Sequence, residues 1–140
     1  MKDDTSGPPD QLAGFSILAV DDEEQVLQLV ERAFGEANTV FVAQTGAAGL
    51  TILEKETVDV VLLDLRMGGV LDGAQVLDAI KERQPELSIV IHSAYLTQNM
   101  PELSNADDFI IKPATIAHLS ETLRYYASVT RIKRLRGKPE

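Results

Sequence analysis

The feature that most constrains this chain is the recurrence of short, largely apolar runs: "FSILAV", "VDVVLLD" and "LSIVIH". A strand wet on one face alternates apolar with polar residues, whereas these runs need cover on both faces. Between them lie longer segments with helical period, such as "EQVLQLVERAF", whose Val26, Leu27, Leu29, Val30, Ala33 and Phe34 fall on one side before Gly35 offers a stop. The alternation continues through "TVFVA", "AAGLTILEK" with Thr45 as its cap, "VDVVLLD", "AQVLDAIKER" ending ahead of Pro85, "LSIVIH", "DFII" and a last helix "TIAHLSETLRYYASVTRIKRL". Strands alternating with helices predict an α/β fold with a doubly wound, five-stranded parallel sheet.

The 140 residues, 44% of them hydrophobic, suit one domain with a sizeable core. The expected organisation is a disordered leader over 1–14, with its Gly7, Pro8 and Pro9, a folded domain over 15–135, and a tail over 136–140. Without cysteine there is neither a disulfide nor a thiolate metal site, and two histidines argue against a histidine-built zinc site. A cation that prefers oxygen is compatible with the composition. No apolar run approaches the roughly 20 residues of a membrane span, and the opening lacks the basic and apolar regions of a signal peptide, so the expectation is a cytoplasmic protein with no membrane contact. Of the net charge of -9, residues 1–114 hold 7 Lys and Arg against 20 Asp and Glu, while residues 115–140 hold 6 against 2. The acidic body disfavours direct nucleic-acid binding by this chain.

In a doubly wound sheet, function gathers beyond the carboxyl ends of the strands. Those ends carry Asp21 and Asp22, then Asp64, then Ser93, then Lys112 ahead of Pro113. Each has an ordinary reading taken singly: an acidic helix start for Asp21 and Asp22, a turn residue for Asp64, a cap for Ser93, a strand terminus for Lys112. Taken together they set three carboxylates, a hydroxyl and an amine on one edge. Carboxylates so crowded repel one another unless a cation offsets them. Magnesium accepts such oxygen ligands and commonly bridges carboxylate to phosphate. A carboxylate beside it is placed to attack phosphorus, with an ammonium neutralising the transferred oxygens.

With "ILAVDDE", "VVLLDLRM", "DG" at Asp72-Gly73, "VIHSA" and "ADDFIIKP" in order, the chain resembles a response-regulator receiver domain of two-component signalling, the CheY-like family, over about residues 15–135. The resemblance implies strand order 2-1-3-4-5 and phosphoryl transfer to Asp64. It implies Mg2+ held by Asp21, Asp22, Asp64 and the carbonyl of Arg66, with Asp22 binding directly and Asp21 mainly through water. It makes Ser93 and Lys112 the groups that meet the phosphoryl oxygens, Ser93 and Phe109 the switch pair, Arg66 and Tyr95 the positions that tune phosphoryl lifetime, and Lys112-Pro113 a cis bond. The implied partners are a sensor histidine kinase or phosphotransfer protein upstream and an effector domain or partner protein downstream, with a homodimer as a further option. Such a domain is a signalling switch that takes part in its own phosphorylation and autodephosphorylation, not an enzyme.

Three departures from the family pattern stand out. The loop after the phosphoacceptor reads "DLRMGGVLDG", with Gly68 where the family has proline and one residue more before Asp72, which predicts a looser loop. The stretch "AYLTQNMPELSNADDFII" is short and holds Pro101, so the helix between the last two strands should be one or two turns or irregular. Phenylalanine at 109 has no polar tip to hydrogen-bond outside a pocket, which predicts an inward bias. Elsewhere, His92 should pack, His118 should lie on the surface, and of Tyr125 and Tyr126 one should pack and the other be exposed. The basic, apolar end "RIKRLRGKP" reads either as complement to the helix's negative end or as a linker, dimer contact or partner-binding end. Two functional alternatives stay open: a degenerate receiver acting as a phosphorylation-independent dimerisation or docking module, and a dehalogenase-like phosphohydrolase, which wants a second aspartate where this chain has Arg66.

Overall fold

The computed structural model describes residues 12–65, 73–94 and 103–137. Five strands, β1 (Ser16–Val20), β2 (Thr39–Ala43), β3 (Val60–Leu63), β4 (Ser88–Ser93) and β5 (Asp108–Ile111), form one parallel sheet in the order β2-β1-β3-β4-β5. Four α-helices accompany them among the described residues: α1 (Glu24–Phe34), α2 (Gly46–Lys55), α3 (Gly73–Arg83) and α4 (Ile116–Gly137). The predicted strand order and long last helix are therefore both present. The helix expected between β4 and β5 falls mainly on residues 95–102, outside those described; the described end of that connection closes in a short turn, with the Ala106 N–H donating to the Leu103 carbonyl at 3.0 Å, and holds no α-helix.

Successive side chains of a strand point to opposite faces, so each central strand feeds two cores. Leu18, Val20, Val61, Leu63, Ile89 and Ile91 face one side and pack with Val76, Leu77 and Ile80 of α3. Ile17, Ala19, Val60, Leu62 and Val90 face the other, against Leu27, Val30 and Phe34 of α1 and Leu119, Leu123 and Ala127 of α4. This double burial is why the strands carry no polar alternation. Thr45 caps α2 as expected, its hydroxyl accepting from the Ala48 N–H at 3.1 Å.

The packing reaches further than the 15–135 span. Leu12 is buried in the α1/α4 core, and the Asn38 side-chain amide donates to its carbonyl at 3.1 Å, so the chain is held three residues earlier than its polar opening suggests. At the other end α4 continues to Gly137. Its basic turns do more than complement the helix dipole. Arg131 donates to both oxygens of buried Asp59 at 3.2 and 3.0 Å and to the Gly14 carbonyl at 2.8 Å. Arg134 donates to Glu86 at 3.1 Å and to the Val58 carbonyl at 2.9 Å. His92 is buried, His118 is exposed, Tyr126 packs against the core and Tyr125 lies outward, as the sequence predicts.

Candidate functional site

Register builds the site. Val20, the last residue of β1, lies beside Ala43 on one side and Leu63 on the other. The next residue in each chain direction continues the ladder: the Asp21 N–H donates to the Ala43 carbonyl at 3.0 Å and the Asp64 N–H to the Val20 carbonyl at 2.9 Å. Two aspartates 43 residues apart in sequence thus leave adjacent strands at the same level. On the far side, β4 and β5 pair through Ser93 and Ile111, and the Lys112 N–H donates to the Ser93 carbonyl at 3.1 Å. The Lys112-Pro113 bond is cis, as the resemblance implied.

The side chains converge accordingly. Carboxylate oxygens of Asp21, Asp22 and Asp64 all lie within 4.8 Å of one another, with Asp21 and Asp64 buried and Asp22 exposed. The Lys112 ammonium lies 2.8 Å from Asp21, 3.3 Å from Glu23 and 3.5 Å from Asp64. Burial pushes the Asp21 carboxyl above the usual carboxylate range and the Asp64 charge adds to that, while hydrogen bonds from Lys112 and the Glu23 N–H oppose it. Burial alone would lower the Lys112 ammonium, but the hydrogen bond to Asp21 and the charges of Asp21, Asp64 and Glu23 outweigh it and hold its pKa above the ordinary value. Beneath them the His92 imidazole is pushed down to about 4 by burial and by the Lys112 charge, so it is neutral at pH 7.

Gly73 shows why a glycine opens α3 here. A Cβ at that position would come within 2.7 Å of the Leu65 Cα and carbonyl oxygen and 2.9 Å of the Asp64 carbonyl. Backbone cannot yield that far, so any side chain would displace the segment that carries Asp64. The Gly73 N–H in turn donates to the Leu65 carbonyl at 3.2 Å.

These donors fit a hard divalent cation. All are oxygens, they are crowded, and among the four carboxylates and one ammonium negative charge is in excess, which suits Mg2+ bound through carboxylates and water. The sequence matches the response regulator receiver domain family over residues 17–124. The chain belongs to that family. As a receiver it is 31% identical over 115 residues to sporulation initiation phosphotransferase F of Bacillus subtilis (strain 168), an alignment covering 79% of this chain and 91% of that one. It is 39% identical over 80 residues to the transcriptional regulatory protein GlrR of Escherichia coli (strain K12), covering 56% of this chain and 18% of the relative. The receiver therefore spans only a small part of the length of such regulators. Among solved structures, NtrX from Brucella abortus superposes with a TM-score of 0.76 at 29% identity, covering 87% of this chain and 29% of that one. A CheY-like receiver domain protein from Methanospirillum hungatei JF-1 gives 0.79 at 24% identity over 85% and 98% of the two chains, a likeness of fold.

Of the residues singled out from sequence, Asp21, Asp22, Asp64 and Lys112 are brought together, and Ser93 ends β4 beside them, buried. Arg66, Tyr95 and the Gly68-Gly69 loop lie outside the described residues. The inward bias expected for Phe109 is not what the receiver adopts: the side chain is 45% exposed, next to exposed Ile111. Ile110 fills the α1/α4 core and so turns Phe109 and Ile111 to the opposite face, where among the described residues both are left exposed. Sequence reasoning passed over Glu23, whose contact with Lys112 spans 89 residues and has no local signature beyond its place in an acidic run.

Proposed function

We propose that this receiver is a phosphorylation-driven switch with Asp64 as phosphoacceptor. A carboxylate oxygen of Asp64 attacks the phosphorus of a phosphohistidine on a sensor kinase or phosphotransfer protein. The new P–O bond forms as the P–N bond breaks, and the departing imidazole nitrogen keeps the electron pair. Asp21, Asp22, Asp64 and the Arg66 carbonyl are the groups to hold Mg2+, which supplies charge neutralisation for the transferred oxygens when bound. Lys112 adds a positive charge on the opposite side, and Ser93 donates its hydroxyl to the phosphoryl group. The product carries roughly two added negative charges at one strand end, enough to redistribute hydrogen bonds between Lys112 and Ser93 and, through β5, to shift the packing of Phe109. Arg66 and Tyr95 are the candidates to set its lifetime. The output passes to an effector domain or a partner protein in the cytoplasm, with a homodimer as one arrangement.

The observation that carries this reading is the three-carboxylate cluster sharing one ammonium at the strand ends. The test is intact mass after incubation with Mg2+ and acetyl phosphate, for the parent and for Asp64→Asn. One phosphoryl adduct in the parent and none in the variant is the expected result. No adduct in either, under conditions that include a histidine-kinase donor, would replace the switch with a phosphorylation-independent docking module, as the Gly68 departure in the loop suggests.

A further inference from the structure

We propose that Glu23 competes with the phosphoryl group for Lys112, so that its departure from the lysine is part of the switch; this rests on Asp64 being the phosphoacceptor. Glu23 occupies the N-cap position of α1, where a short Ser, Thr, Asp or Asn would bond the first-turn amides. Its own side chain makes no such bond. Its main chain is fixed from both sides, the N–H donating to Asp21 Oδ1 at 2.9 Å and the carbonyl accepting from Val26 at 3.0 Å. That anchoring leaves the carboxylate to reach across to Lys112 at 3.3 Å.

An ammonium has three N–H donors and no acceptor. Here three carboxylates surround it: Asp21 at 2.8 Å, Glu23 at 3.3 Å and Asp64 at 3.5 Å. The side chains of Asp21 and Asp64 are 3% and 6% exposed, whereas that of Glu23 is 57% exposed. A phosphoryl group on Asp64 calls for the same ammonium and repels the two acids that remain beside it, Asp21 and Glu23. Only Glu23 has solvent to move into. It therefore holds Lys112 before phosphorylation and yields it afterwards, carrying the change to the start of α1.

Removing the Glu23 charge then favours the phosphoryl analogue without favouring the metal. The Glu23→Gln variant should bind beryllofluoride, a phosphoryl analogue, in saturating Mg2+ about three- to fivefold more tightly than the parent, the scale of one partly exposed ion pair. Its affinity for Mg2+ alone should be unchanged or weaker, because a negative charge has left. Calorimetry gives both constants, and the 15N shift of the Lys112 ammonium should differ between parent and variant before the analogue is added and converge after. Glu24→Gln is the control, an exposed acid one residue on with no contact to Lys112 among the described residues. Equal or weaker beryllofluoride binding by Glu23→Gln, or the same gain from Glu24→Gln, would overturn the inference while leaving the phosphoacceptor intact. Failure of the parent to bind beryllofluoride with Mg2+ would overturn both.

Discussion

The two ends of the sheet are built from the same chemistry and put it to opposite uses. At the amino ends of the strands, one buried carboxylate, Asp59, meets two guanidinium groups and a backbone amide: Arg131 at 3.0 Å, Arg134 at 3.5 Å and the Ser16 N–H at 2.8 Å. At the carboxyl ends, among the described residues, Asp21, Glu23 and Asp64 gather about Lys112, and Asp22 lies beside Asp21 and Asp64. The first arrangement satisfies its anion and fastens α4 to the sheet. The second leaves negative charge in excess, which is unfavourable for folding and favourable for taking up a cation. Stability and function have been separated to opposite edges of one layer.

The contrast breaks most visibly at Asp59. Asp59→Ala strips the partner from two arginines and the Ser16 amide, and should destabilise the fold by about 3–5 kcal/mol, the scale for breaking a buried ion pair; urea denaturation of the variant against the parent measures it. Asp64→Asn, which removes charge from the crowded end, should by contrast cost little in metal-free buffer.

His92 sharpens the comparison through pH. Among the described residues neither of its buried ring nitrogens has a hydrogen-bond partner, and its pKa is lowered from 6.5 to about 4. Between those values the unfolded chain binds a proton that the folded one does not, so stability falls as pH drops from about 6.5 and the loss is complete near 4. The contribution lost is about 3 kcal/mol. In His92→Phe the stability measured over that interval should lose most of this slope. An unchanged slope would assign the acid sensitivity to other groups.

The smallest effect is the most specific to function. Mg2+ at about ten times its dissociation constant should raise unfolding stability by about 1.4 kcal/mol, because it binds only the folded cluster. The increment should vanish in Asp22→Ala and survive in Arg131→Ala. Thermal melts with and without the ion test it, and an increment that persists without Asp22 would remove that residue from the metal site.

How much of this was legible in the sequence depends on range. Apolar periodicity marked every described strand and α-helix, because side-chain alternation and helical period are local properties written into neighbouring residues. The strand-end rule then pointed to Asp21, Asp22, Asp64, Ser93 and Lys112. Three things escaped it. Leu12 looked like leader because its partner Asn38 lies 26 residues away. The basic end of α4 was left between dipole complement and a linker, dimer or partner contact, because Asp59 lies 72 residues from Arg131. Phe109 was judged by its chemistry, while its direction was set by Ile110 claiming the core.

By itself, then, the sequence determined the kinds of element, their order and the residue types presented at the strand ends. The tertiary structure alone decided which charges meet: Lys112 with Glu23 as well as Asp21 and Asp64, Asp59 with Arg131 and Arg134. The physical reason is that backbone preference acts over a few residues, whereas an ion pair depends on distances that exist only once strands far apart in the chain have been set in register.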